Sequence, residues 1–157
     1  MDVIDNIYFS AEEKDSVVTS TVLCQVGLNT KINSLPQKER TRLGTWFSNS
    51  VNLSGGEWQR LAIARALSRD AKIYLFDEPT SMQDLFSKER IIKILRKLSK
   101  NSIVVIINHN IENLRPEDKV IFISNKIVNN VQIHQQLIED NHEYAEFVRR
   151  GSNEKNS

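Results

Sequence analysis

Apolar positions along this chain gather in short groups that predict distinct elements. Leu61, Ala62, Ala64, Ala66 and Leu67 are helix-favouring residues that predict a helix over Glu57 to Leu67, with Gly55 and Gly56 where it would begin. Ile73-Tyr74-Leu75-Phe76 is an unbroken apolar run ending in Asp77-Glu78-Pro79, the pattern of a buried strand. Ile91, Ile94, Leu95 and Leu98 recur at helical spacing among Lys88, Arg90, Lys93, Arg96, Lys97 and Lys100, whose charges read as a solvated face. Ile103 to Ile107 is a second continuous apolar strand, ending at Asn108-His109. Strand, helix and strand in succession imply a parallel sheet covered by helices.

Elsewhere the signals are shorter. Ser10-Ala11-Glu12-Glu13 has capping-box spacing and predicts a helix that carries Val17, Val18, Leu23 and Val26 and closes at Gly27. Residues 29–52 hold Pro36, Gly44, the basic stretch Lys38 to Arg42 and the aromatics Trp46 and Phe47, which reads as loop with a short helix. Val120 to Ile123, a polar turn at Ser124-Asn125-Lys126, and Ile127-Val128 predict a hairpin. Leu137 to Arg149 predicts a terminal helix, and the polar tail after Gly151 is expected to fray.

Composition narrows the class. The 157 residues are 39% hydrophobic and 26% charged, which excludes collagen-like, coiled-coil and disordered chains and suits one globular domain. Net charge is +1, from 21 basic against 20 acidic residues, so no global field marks a nucleic-acid or acidic-membrane binder, and no nucleic-acid partner is expected. The single cysteine, Cys24, forms no internal disulfide and favours a reducing compartment. The acidic start lacks a signal-peptide pattern, and no apolar run approaches the ~20 residues that span a bilayer.

The stretch richest in chemistry is Leu53-Ser54-Gly55-Gly56-Glu57-Trp58-Gln59-Arg60-Leu61-Ala62-Ile63-Ala64-Arg65-Ala66-Leu67. A serine and two glycines at a helix N-terminus offer a hydroxyl and unobstructed N–H groups at the positive end of the dipole, an anion site; a purely structural Gly-Gly start fits the same residues. The full string resembles the signature motif of ATP-binding cassette (ABC) transporter ATPases. Ile73 to Thr80 is similar to the Walker B strand of that family, placing two adjacent carboxylates at a strand end, where they point in different directions. The resemblance implies that Asp77 holds Mg²⁺ through water and that Glu78 polarises the attacking water as general base. His109 resembles the switch histidine that contacts the γ-phosphate, whereas His134 and His142 read as structural. Ser81-Met82-Gln83-Asp84 stands where the family has its D-loop, usually Ser-Ala-Leu-Asp, whose aspartate helps join two ATPase subunits; Met82 and Gln83 depart from that pattern. Asn108 and Asn110 replace the commoner threonine and arginine around the histidine, and Phe47-Ser48-Asn49-Ser50 stands where exporters often carry Gly-Glu-x-Gly.

No Gly-x-x-x-x-Gly-Lys-Ser/Thr occurs, and none of the five glycines is followed by lysine. The resemblance runs from Asn6-Ile7 to about Arg150, and implies an α/β fold: a partial P-loop NTPase domain with a parallel sheet, flanking helices and the remainder of the helical subdomain. It divides residues 1–150 into a helical subdomain with signature helix over 1–68 and a Walker B to C-terminal part over 69–150, followed by the tail 151–157. A fragment, split gene product or truncated frame of this kind is expected to leave sheet edges and apolar faces uncovered. The implied cofactors are ATP and Mg²⁺, with Ser54, Gly55, Gly56 and Glu57 acting in trans on ATP bound to a second ABC ATPase domain in a head-to-tail dimer. Transmembrane transporter domains, and a P-loop-bearing half if the domain is split, are the other implied partners, at the cytoplasmic face of the membrane. The alternative is a non-catalytic module donating its signature to a partner ATPase. A chromosome-maintenance or DNA-repair ATPase shares the Leu-Ser-Gly-Gly-Glu core, but the Gln59-Arg60 continuation, the lack of a coiled coil and the neutral charge argue against it.

Overall fold

Parallel pairing of two five-residue strands, β1 (Ile73–Asp77) and β2 (Ile103–Ile107), is the centre of the first of two units, Met1–Ile107 and Asn108–Ser157. The computed structural model describes residues 1–9, 15–45, 49–109, 111, 113–128 and 131–153. Their register sets Ile73 beside Ile103 and Asp77 beside Ile107. The connection between them is a helix (Leu85–Leu98), α5 in chain order, so strand, helix and strand form the parallel crossover that the periodicity implies.

Helices cover one face of this pair. Tyr74 and Phe76 are 8% and 7% exposed and join a core with Leu61, Ala64, Ile91 and Leu95, whereas Ile73 and Leu75 are 64% and 68% exposed. Ile103, Val105 and Ile107 on β2 are exposed as well. The reading of β1 as a buried strand is therefore corrected: its alternate residues face water, because the described residues cover one of its two faces, and on β2 Ile106 is exposed as well, leaving only Val104 packed against the core.

The remainder of the first unit is helical: α1 (Val3–Ile7), α2 (Ser16–Gln25), α3 (Asn29–Asn33), a 3₁₀ turn at Lys38–Arg40 and α4 (Gly55–Leu67). The cap of α2 is Asp15, whose carboxylate accepts from the N–H of Val17 (2.7 Å) and Val18 (3.2 Å). The capping box read at Ser10 to Glu13 lies outside the described residues apart from its consequence, and the helix starts at Ser16. Its end is as expected. Gly27 has φ +73°, its N–H bonds to the Cys24 carbonyl and the Leu28 N–H to that of Leu23, the two-bond Schellman stop that glycine adopts without strain. Trp46, Phe47 and Ser48 lie outside the described residues. Arg65 ties α4 to α1 by donating from Nη2 to Asn6 Oδ1 at 3.1 Å.

In the second unit, β4 (Ile123–Ser124) and β5 (Ile127–Val128) form the expected hairpin, turned by Asn125 and Lys126 at φ +50° and +65°, a type I′ geometry. Val120, read as the start of that hairpin strand, belongs instead to a separate strand, β3 (Lys119–Val120), paired antiparallel with β6 (Gln132–Ile133). The single terminal helix is two, α6 (His134–Asp140) and α7 (His142–Asn153). The break is Asn141, whose Oδ1 accepts from the Tyr144 N–H at 2.9 Å and so caps a new helix. Helix α7 passes Gly151 by two residues, and residues 154–157 lie outside the described set. His134 Nδ1 bonds the hydroxyl of buried Tyr144 at 2.6 Å, a structural role as read. Burial pushes the Tyr144 phenol above its ordinary range. Among the described residues no helix is long and apolar enough to cross a membrane.

Candidate functional site

Three turns of chain meet at one end of the first unit: the start of α4, the loop after β1 and the start of α5. Ser54 is the N-cap of α4, with its Oγ accepting from the Glu57 N–H at 3.2 Å and the Glu57 carboxylate accepting from the Ser54 N–H at 2.8 Å. This reciprocal capping box occupies two of the donors a helix start leaves open. The N–H groups of Gly55 and Gly56 have no acceptor among the described residues, and Ser54 and Gly55 are exposed. Two open donors therefore stand at the positive end of a 13-residue helix. Glu57 faces inward to the cap and lies 3.9 Å from Lys31 Nζ.

The glycines answer a packing demand as well. A Cβ on Gly56 would lie 2.5 Å from the Met82 carbonyl oxygen, and one on Gly55 2.9 Å from Met82 Sδ. At Gly56 the obstacle is backbone, so only glycine lets the loop approach the helix this closely, whereas the Met82 side chain beside Gly55 can move.

At the end of β1, Asp77 is exposed and Glu78 half-buried. The Glu78 N–H continues the ladder to the Ile107 carbonyl at 2.9 Å, and its backbone then turns into the left-handed region at φ +44°. A glutamate there is held against a conformational cost of about 1–3 kcal/mol, so its surroundings must fix it. They do: the Glu78 carbonyl accepts from Gln59 Nε2 (2.8 Å), Ser81 Oγ (3.1 Å) and the Ser81 N–H (3.2 Å). Gln59, one turn into α4, also donates to Ser81 Oγ at 3.1 Å and accepts from the Met82 N–H at 3.4 Å. Gln83 Nε2 donates to Gln59 Oε1 (2.7 Å) and to the Gly56 carbonyl (2.9 Å).

Asp84 caps α5, accepting from the Ser87 N–H at 3.0 Å and from Ser87 Oγ at 2.7 Å. The backbone bond from Ser87, then its hydroxyl bond, holds the Asp84 carboxyl below its ordinary value of 3.8. Arg60 Nη1 donates to the same Ser87 Oγ at 2.6 Å, so the Gln59-Arg60 pair grips both the loop and the next helix.

The structure thus gathers Ser54, Gly55, Gly56, Glu57, Glu78 and Asp84 around one hydrogen-bonded junction, with Asp77 on the adjoining strand. His109 belongs to the second unit, where it is exposed. The junction residues Gln59 and Gln83 were not singled out as site residues from sequence, although the polar departure at Gln83 was the signal. Asp77 and Glu78 offer the hard oxygen donors that Mg²⁺ prefers, and open helix-start N–H groups suit a phosphate. Among the described residues no three His, Cys, Asp or Glu side chains converge as a ready metal cage.

Comparison with known proteins shows the family. The family model described as ABC transporter matches residues 6–81. The chain is 34% identical over 107 residues to the nisin transport ATP-binding protein of Lactococcus lactis, covering 68% of this chain and 18% of that protein. It is 32% identical over 152 residues to the mitochondrial potassium channel ATP-binding subunit of Xenopus tropicalis, covering 97% of this chain and 22% of that protein. The structure of a bacterial Atm1-family ABC exporter with ATP bound superposes with a TM-score of 0.83 at 25% identity, over 96% of this chain and 26% of that one. The chain therefore spans about a fifth of the length of these curated relatives. With signature, strand-end carboxylates and sheet all in place, it belongs to the ABC transporter family, as part of an exporter-like ATP-binding domain with a partial ABC ATPase fold.

Proposed function

We propose that the chain serves ATP hydrolysis that drives transmembrane transport, by presenting Ser54, Gly55 and Gly56 to the γ-phosphate of ATP held on the P-loop of a second ABC ATPase domain. The observation that carries this reading is the pair of open N–H donors of Gly55 and Gly56 on the exposed start of α4. They are oriented before any ligand arrives, so an anion meets the helix dipole without a reorganisation cost. Glu57 acts through the capping box, fixing Ser54 rather than touching the phosphate, since a second negative charge beside it would repel.

Asp77 and Glu78 divide their tasks by direction. Asp77 would hold Mg²⁺ through water, Glu78 would accept hydrogen bonding from the attacking water and His109 would meet the γ-phosphate, all at a nucleotide held by the P-loop of their own domain and not at the partner's. Bound Mg²⁺ supplies charge neutralisation at the phosphates. Asp84, already fixed as a helix cap, lies in the loop through which two ATPase domains join head to tail. The exporter relatives support a setting at the cytoplasmic face of a membrane beside transporter domains.

A second reading is a non-catalytic module that lends its signature to a partner, since the open donors of Gly55 and Gly56 need no catalytic residue of their own chain. One experiment separates them: ATP hydrolysis by the full chain, alone and with a P-loop-bearing partner domain, with Glu78→Gln beside it. Turnover that needs the partner and falls with Glu78→Gln supports the catalytic reading. Turnover that needs the chain but ignores Glu78→Gln supports the lending module, and no effect of the chain on the partner overturns both.

A further inference from the structure

We propose that Gln83 is a positioning residue that makes the phosphate-facing turn of α4 and the loop after Glu78 move as one body, a role that rests on the signature reading above. The path is continuous and short. The Gly56 peptide accepts from Gln83 Nε2 at 2.9 Å, that amide donates onward to Gln59 Oε1 at 2.7 Å, and Gln59 Nε2 reaches the Glu78 carbonyl at 2.8 Å. The same Gln59 amide grips Ser81 Oγ and the Met82 N–H, and the Met82 carbonyl rests in the space that a Gly56 side chain would fill.

Stability alone does not account for a glutamine here. Gln83 Oε1 is buried and finds no donor among the described residues, so one end of the amide is desolvated without return. Leucine, the residue usual in the family's D-loop, would fill the site without that cost. What the glutamine adds is a bridge that leucine lacks. When Gly55 and Gly56 engage an anion, a shift of the Gly56 peptide is carried by two side-chain amides to the backbone of Glu78, whose left-handed φ makes it sensitive to its anchors. Because such coupling is reciprocal, the state of the Glu78 loop also sets the anion affinity of the α4 start.

The test uses ¹⁵N-labelled full chain, with a P-loop-bearing ABC exporter ATPase domain and ATPγS. In the wild type, amide signals of Gly55 and Gly56 should shift together with those of Ser81, Met82 and Gln83. In Gln83→Leu the Gly55 and Gly56 shifts should persist, the response of Ser81 and Met82 should be lost, and the melting temperature should hold or rise. If Gln83→Leu fails to fold, Gln83→Met, of similar length and without an amide, takes its place. An undiminished loop response in the variant, or no loop response in the wild type, overturns the coupling. A folded variant with a lowered melting temperature and all shifts lost together assigns Gln83 a merely structural role and overturns it too. Absence of any shift at Gly55 and Gly56 in the wild type overturns the signature reading itself.

Discussion

The carbonyl oxygen of Met82 stands 2.5 Å from the point a Cβ on Gly56 would occupy, so helix and loop are in contact through an absent side chain. Gly56→Ala should therefore displace backbone and cost about 1–3 kcal/mol in urea denaturation, the range for overpacking. Gly55→Ala meets Met82 Sδ, the end of a flexible, exposed side chain that can swing away, and should be close to neutral. Equal losses in the two variants would mean that the Met82 backbone does not limit the approach.

Ser54 carries two duties that one pair of substitutions divides. Ser54→Ala removes the acceptor of the Glu57 N–H and should cost about 1 kcal/mol of stability. Ser54→Asp keeps an acceptor at the cap and should restore most of that stability, yet its charge should abolish nucleotide-dependent association with a P-loop partner. Thermal melts alongside pull-down with and without ATP check the division; association that survives Ser54→Asp would remove Ser54 from the phosphate contact.

For Asp84 the prediction concerns pH. Its carboxyl sits below 3.8 in the fold because Ser87 donates to it twice, so the anion is favoured in the folded state. That stabilisation is present above the unfolded value and lost as pH falls through the lower folded value. Asn caps helices about as well as Asp, so Asp84→Asn isolates the charge. Wild type should exceed Asp84→Asn in melting temperature at neutral pH, and the gap should close below about pH 4. A gap that is flat with pH would mean that the charge does not favour the cap.

Neighbouring residues on β1 should behave as opposites. Phe76→Ala opens the core between the sheet and its helices and should cost about 3–5 kcal/mol. Leu75→Ser changes an exposed position of the same strand and should stay within about 0.5 kcal/mol by chemical denaturation. A large loss from Leu75→Ser would show that this face is covered in solution.

Much of this architecture was legible because it is periodic. Ile73 to Phe76 and Ile103 to Ile107 announce strands by being unbroken, and Ile91, Leu95 and Leu98 announce α5 by recurrence, so the parallel crossover followed. What an unbroken apolar run does not say is which side is covered, and Ile73 and Leu75 proved exposed. Helix starts were harder, since the Asp15 cap of α2 stands beside no repeat that would mark it. Asn141 hides inside a helical pattern because one polar residue barely disturbs the period, although asparagine prefers caps to interiors. At the site, the capping box at Ser54 and Glu57 has the spacing credited to Ser10 and Glu13. The Gln59–Gln83 bond joins residues 24 apart through side-chain amides, a contact with no repeat to betray it.

Asp77 closes the exposed row that begins with Ile73 and Leu75, and Ile107 stands opposite it on β2. In the chain as described, water surrounds this carboxylate and screens its charge. Whatever occupies the row of isoleucine, leucine and valine below would exclude that water and lower the local dielectric constant, which raises both the cost of the bare anion and its pull on a divalent cation. On the proposed reading, the strength of Asp77 as a Mg²⁺ ligand would thus depend less on its own strand than on a neighbour that dries its foot.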